Sequence, residues 1–115
     1  MIIDLSQVTI MLKPGRTDFR KQVNGLALII ENELKQNIFS NTIFIFYSGD
    51  CRKVKILYWD KNGFCLWQKR LEEAKFPWPD TTTQVRTISH TELRMLLFGI
   101  DFFHAHKTLN YSSVN

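Results

Sequence analysis

The chain is poor in cysteine, proline and glycine, with two, three and five of them in 115 residues. Cys51 and Cys65 are too few for a disulfide scaffold and lack partners at metal-site spacing. No internal repeat, low-complexity tract or interdomain linker is present. No apolar run approaches the ~20 residues a membrane helix needs. The N-terminus has no basic segment leading into an apolar stretch, so no signal peptide is expected. Also missing are a glycine-rich phosphate loop, a Gly-x-Ser-x-Gly elbow and a His-Glu-x-x-His helix. These absences predict a soluble cytoplasmic protein with reduced thiols, no cofactor, no metal, no membrane contact and no catalytic residues.

Apolar side chains are plentiful. Hydrophobic residues make up 44% and charged residues 23%, enough apolar surface to offset the entropy of ordering. The expected organisation is one domain over 1–107 with a polar, flexible tail over 108–115. Fifteen Lys and Arg face eleven Asp and Glu, a net charge of +4. That balance permits nucleic-acid binding without requiring it. Nine Phe, three Tyr and three Trp exceed what so small a core needs, so some aromatic rings are expected at the surface.

Val8 to Leu12 reads as a short strand, broken by Pro14-Gly15. Thr17 is placed to cap a helix, with Asp18 in its first turn. Val23, Leu26, Ala27, Ile30 and Leu34 follow the spacing of a buried helical stripe, predicting a long helix over about Asp18–Lys35. Thr42 to Tyr47, Arg52 to Trp59 and Phe64 to Leu71 read as strands. Thr82 to Thr87 offers a further short edge strand. Ser89-x-x-Glu92 is a capping box ahead of a short helix over about His90–Phe98, with Gly99 as its C-terminal cap. The expected fold is α+β: a small antiparallel sheet, made of a three-strand meander plus the N-terminal strand, packed with one long and one short helix.

Asp60-Lys61-Asn62-Gly63 suits a hairpin closed by a left-handed glycine. With Lys61 to Gly63 as the loop, Trp59 faces Cys65 and Leu57 faces Trp67. Alternation then places Val54, Ile56, Tyr58, Phe64 and Leu66 on a core face turned to the long helix. Lys53, Lys55, Leu57, Trp59, Trp67 and Lys69 fall on the other. Lysines among tryptophans fit a nucleic-acid surface, with ammonium groups for phosphates and indoles for stacking. They equally fit tryptophans covered by a helix or a second subunit, with lysine heads reaching to water.

Arg16, Arg20 and Lys21 crowd the expected helix start, where cations oppose the macrodipole. A docked phosphate would satisfy these cations and the free backbone N–H groups together. The alternative pairs Asp18 with one cation and leaves the others solvated. His104-x-His106 is a weak metal pattern with no cysteine or acidic cluster beside it. Cys65 reads as a small packing residue, and the scattered aspartates form no acidic triad.

Several of these residues also form a pattern. Thr17-Asp18-Phe19-Arg20-Lys21 followed by Gly25-Leu26 resembles the opening motif of the accessory proteins of insertion sequence 66 family transposons. These are the second open reading frame products, often called TnpB. Lys55-Ile56-Leu57-Tyr58-Trp59-Asp60, Gly63-Phe64, Leu66, Lys69-Arg70-Leu71-Glu72 and Phe76-Pro77-Trp78-Pro79 extend the resemblance. Leu96-Leu97 and Gly99-Ile100-Asp101 close it, from about Val8 to His106. Where the family often carries a run of arginines, this chain has Ser48-Gly49-Asp50, followed by Arg52 and Lys53. Where the family tends to have glycine before Phe-x-Trp-Pro, it has Ala74.

The resemblance implies a non-catalytic accessory protein of transposition, encoded beside a transposase that performs the chemistry. Its implied partners are transposon DNA, the transposase and the element's other accessory protein. The residues themselves nominate Arg16, Arg20, Lys21, Lys53, Lys55, Lys69 and Arg70 for DNA contact, with Trp59 and Trp67 as aromatic partners. The alternative is a protein-interaction module, a homodimer or a transposase partner, centred on the two tryptophans.

Overall fold

In the computed structural model, which describes residues 7–78 and 85–99, the run Thr42–Tyr47 is the middle strand of a five-stranded sheet. In chain order the elements are β1 (Thr9–Leu12), α1 (Val23–Leu28) continued by a π-helical turn (Ile29–Glu33), and β2 (Thr42–Tyr47). Then follow β3 (Lys53–Asp60), β4 (Gly63–Arg70), β5 (Arg86–Ile88) and α2 (His90–Leu97). The strand order is β4-β3-β2-β1-β5.

The sheet is mixed, which corrects the antiparallel expectation. β1 and β2 pair in parallel, Ile10 beside Ile43 and Leu12 beside Ile45. The other three pairings are antiparallel. Parallel neighbours cannot be joined by a hairpin; they need a crossover, and the helical segment supplies it. Hairpin turns leave local marks in a sequence and parallel pairing leaves none, so the expectation missed it.

Both faces of the sheet are covered. On one, Ile43, Ile45, Val54, Ile56 and Tyr58 pack with Phe76, Trp78 and with Leu93 and Leu96 of α2. On the other, Phe44, Phe46 and Leu57 pack with Leu26, Ile29, Ile30, Leu34 and Ile38. A strand buried on both faces reads as continuous hydrophobicity rather than alternation. Every residue of β2 is buried for that reason.

The expected helical stripe reaches the core through Leu26, Ile30 and Leu34, but the helix begins at Val23 rather than Asp18. Asp18 is engaged in a turn of its own, described below. The helix widens at Ile29, where the Leu34 amide donates to the Ile29 carbonyl, and both Ile29 and Ile30 are buried. Lys35, at φ +55°, ends it in a left-handed conformation.

α2 has the expected capping box: Ser89 Oγ accepts from the Glu92 amide, and the Glu92 carboxylate accepts from the Ser89 amide. Gly99, at φ +80°, closes its C-terminal end. Of the expected edge strand, Arg86–Ile88 is a strand, and residues 82–84 lie outside the described part. The tail at 108–115 and the His104-x-His106 pattern also lie outside it.

The β3–β4 hairpin differs from expectation by one residue. Asp60 pairs with Gly63 across a two-residue loop, Lys61-Asn62, and Lys61 rather than Gly63 takes the left-handed φ, +55°. Trp59 therefore faces Phe64, and Ile56 faces Trp67. A slip of one residue moves side chains of one strand to the opposite face. Lys53, Lys55, Leu57, Trp59, Phe64, Leu66 and Arg70 share the α1 face. Val54, Ile56, Tyr58, Cys65, Trp67 and Lys69 share the α2 face.

Candidate nucleic-acid interface

The chain leaves β1 at Leu12 and crosses the end of the sheet before entering α1. Two buried lysines shape this crossing. Lys13 folds back so that its Nζ donates to the carbonyls of Pro14, Gly15 and Arg16 at 3.0, 3.4 and 3.3 Å. Gly15, at φ +79°, permits the fold-back. Lys55 rises from β3 and donates to the carbonyls of Phe19 and Lys21 at 2.9 and 2.8 Å. Its Nζ also lies 4.9 Å from the centre of the Phe19 ring, a cation–π contact. Lys13 is 7% exposed and Lys55 2%. Burial lowers the pKa of each from the usual lysine range. Three carbonyl acceptors around Lys13 require all three protons of an ammonium group, so this end of the sheet carries built-in positive charge.

Between these braces, Asp18 organises a tight turn. Its Oδ1 accepts from the Arg20 amide at 2.9 Å, and its carbonyl accepts from the Lys21 amide. The Arg20 guanidinium forms a two-pronged pair with the carboxylate, Nη2 to Oδ2 at 2.7 Å. Those hydrogen bonds pull the Asp18 pKa down to about 2. Arg16, Arg20 and Lys21 thus sit on a loop before α1, not in a helical first turn. Thr17 does not cap the helix; it is buried, and its amide donates to the Tyr47 carbonyl.

Opposite this loop stands the turn after β2. Ser48 Oγ donates to Asp50 Oδ1 at 2.6 Å and accepts from the Lys53 amide at 3.0 Å. Asp50 Oδ1 also accepts from the Arg52 amide, and these bonds lower the Asp50 pKa. The two loops enclose an open groove of about 470 Å³ lined by Arg16, Thr17, Asp18, Phe19, Ser48, Gly49, Asp50 and Lys53. It lies at the carboxyl ends of parallel strands β1 and β2, where ligand crevices recur in α/β sheets.

The nine nominated residues are thereby sorted. Arg16, Arg20, Lys21 and Lys53 gather at this end of the sheet. Arg70 pairs across from Lys53 and is engaged by Glu72 at 2.8 Å. Lys55, expected on a solvent face, lies beneath the loop as a structural brace. Lys69 points to the other face, donating to the Leu97 carbonyl at 2.8 Å and lying 5.5 Å from the Phe98 ring. A cation there complements the C-terminus of α2.

Trp59 and Trp67 do not form one surface. Trp67 packs half-buried against the α2-side core. Trp59 makes edge-on contacts with Phe39 and Phe64, at 4.9 and 5.0 Å between ring centres, and Phe39 is 57% exposed. The sequence reading missed Lys13, Ser48 and Phe39. Nothing local marks them, because their roles depend on partners elsewhere in the chain.

Among the described residues no group of three His, Cys, Asp or Glu side chains is placed to hold a metal. No helix among them is long and apolar enough to cross a membrane. The fold and this surface define a class: a small α+β protein whose sheet ends in a groove braced by two buried lysines and lined by Arg16, Lys53, Asp18 and Asp50.

The chain belongs to the IS66 Orf2 like protein family, whose model matches residues 8–107. Family membership makes it a transposition-associated accessory protein. Two similar proteins come from Sinorhizobium fredii strain NGR234. Uncharacterized protein y4hO is 34% identical over 101 residues, 88% of each chain. Uncharacterized protein y4jC is 31% identical over 93 residues, 81% of this chain and 80% of that one. No solved structure matches.

Proposed function

We propose that this protein is a non-catalytic factor of an insertion sequence 66 type element that binds element DNA through the loop end of its sheet. The observation that carries the reading is the placing of Arg16 and Lys53 on the two walls of one groove, with Arg20 and Lys21 further along the same loop, above the buried charges of Lys13 and Lys55. Cations on a braced loop meet phosphates with little ordering cost, and such contacts fix position without reading sequence. In this reading the functional domain is 1–107, and the protein works in the cytoplasm beside the transposase and the other accessory protein.

A second reading is favoured by the ring cluster of Phe39, Trp59 and Phe64. Exposed aromatic clusters mark protein contacts, so this face would receive the transposase or a second copy of the chain. Capture of the element's end DNA and of its transposase, separately and together over a salt series, separates the two. Phosphate binding weakens steeply with salt and aromatic docking does not. DNA capture that is absent even at low salt would overturn the first reading.

A further inference from the structure

We propose that the groove between the β1–α1 loop and the β2–β3 turn is a phosphate site whose two ligands are Arg16 and Lys53. The proposal deepens the DNA reading and rests on it for the source of the phosphate. Arg16 stands on one wall and Lys53 on the other, and neither head group hydrogen-bonds to another described residue. A guanidinium presents a planar fork to two phosphate oxygens, and an ammonium adds a point charge from the opposite side.

The two carboxylates of the groove are already engaged. Asp18 is held by Arg20, and Asp50 by the Ser48 hydroxyl and the Arg52 amide. The groove lining carries the cations Arg16 and Lys53 and the carboxylates Asp18 and Asp50; Arg20 offsets Asp18, Asp50 keeps its negative charge, and Lys13 and Lys55 add positive charge under the loop. Buried charges of this kind are screened less by salt than exposed ones.

A further feature of the wall points to a ligand. Thr17 is 5% exposed, and its hydroxyl is the one buried side-chain oxygen among the described residues with no hydrogen-bond partner. Buried polar groups are nearly always paired, and an orphan calls for an explanation. The hydroxyl has under 1 Å² of accessible surface, so a phosphate oxygen on this wall would become its acceptor only after a small turn of the Thr17 side chain. The half-buried Phe19 ring at the groove's edge offers an apolar seat for the attached sugar. The volume of about 470 Å³ admits a phosphate carried on a nucleotide as well as the bare ion.

The test uses the full chain, inorganic phosphate and a short DNA duplex. Amide spectra are recorded as phosphate replaces chloride at constant ionic strength, for the wild type, Arg16→Gln and Lys53→Gln. Both side chains lie outside the core, and unchanged amide positions in β2 and α2 verify folding. The expected result is saturable shifts at Thr17, Ser48, Gly49 and Asp50 in the wild type, lost in both variants. Each variant should also reduce the slope of log affinity against log salt for the duplex by about one. Shifts lost in the variants with duplex binding unchanged would keep the phosphate site and assign it to a free phosphate or phosphomonoester. Saturable phosphate shifts with no duplex binding would leave the site standing and remove the DNA reading. Absence of saturable shifts in the wild type, or shifts indifferent to both variants, would overturn the site.

Discussion

The ammonium of Lys55 lies 2.8 Å from the carbonyl oxygen of Lys21, so a buried lysine of the sheet holds in place the loop that carries an exposed one. With the Phe19 carbonyl as second acceptor, Lys55 is a joint between β3 and the crossing to α1. Lys55→Met keeps the length and apolar stem but leaves both carbonyls unpaired. A loss of about 1–3 kcal/mol is expected for such an orphaned buried group, read from the urea midpoint. Amides of residues 19–21 should exchange faster. Stability and exchange equal to the wild type would show that water replaces the ammonium and that Lys55 is not a brace.

The ring cluster gives a prediction that separates the two functional readings. Phe39 is exposed yet meets Trp59 edge-on at 4.9 Å. Phe39→Ser should abolish association with the transposase or with a second copy if this face docks protein, while DNA affinity at the loop end stays unchanged. Sedimentation and transposase capture read the first, and a duplex titration the second. Retained association in the variant would remove the protein-docking role from this face.

Acid sensitivity should reside partly in Asp18. Its pKa is about 2 in the folded protein against 3.8 ordinarily, chiefly because its carboxylate accepts from Arg20. The folded value is the lower one, so its stabilisation is complete above about pH 4 and fades as pH falls toward 2. Asp50, lowered by its bonds to Ser48 and Arg52, adds to the same limb. The pair with Arg20 is exposed, so the effect is small. Asp18→Asn should flatten the acid limb of a pH–stability curve and leave neutral stability nearly unchanged.

The alkaline limb should reside partly in Tyr58. Burial, with a hydrogen bond involving Cys65, pushes its phenol up to about 12 from 10. A folded pKa above the unfolded one gives stability that is complete below pH about 10 and is lost as pH rises through 12. Burial raises the Tyr47 phenol as well, so ultraviolet titration should show these two tyrosines ionising late, Tyr58 together with unfolding, and Tyr58→Phe should shift unfolding to higher pH. Early, reversible ionisation of every tyrosine would contradict this.

Local chemistry in the sequence determined much of this protein. Ser89 and Glu92 wrote the start of α2 because a capping box is satisfied within four residues. The stripe Leu26, Ile30 and Leu34 wrote the buried side of the first helix, and Thr42–Tyr47 wrote a strand. The motifs around Thr17–Lys21 and Lys55–Asp60 carried the family, which the match over 8–107 establishes. Tertiary structure decided the rest. The parallel pairing of β1 with β2 is a contact between distant segments and leaves no mark in either one. The hairpin register turned on a single residue in the Lys61-Asn62 loop, and that residue exchanged the faces. It sent Trp59 and Trp67 to opposite sides, while Lys55 lies beneath the loop because the segment leading to α1 covers the Leu57 face of β3. A lysine reads as solvent-facing in any local window; only the carbonyls of Phe19 and Lys21, brought over from more than thirty residues away, make its burial tolerable.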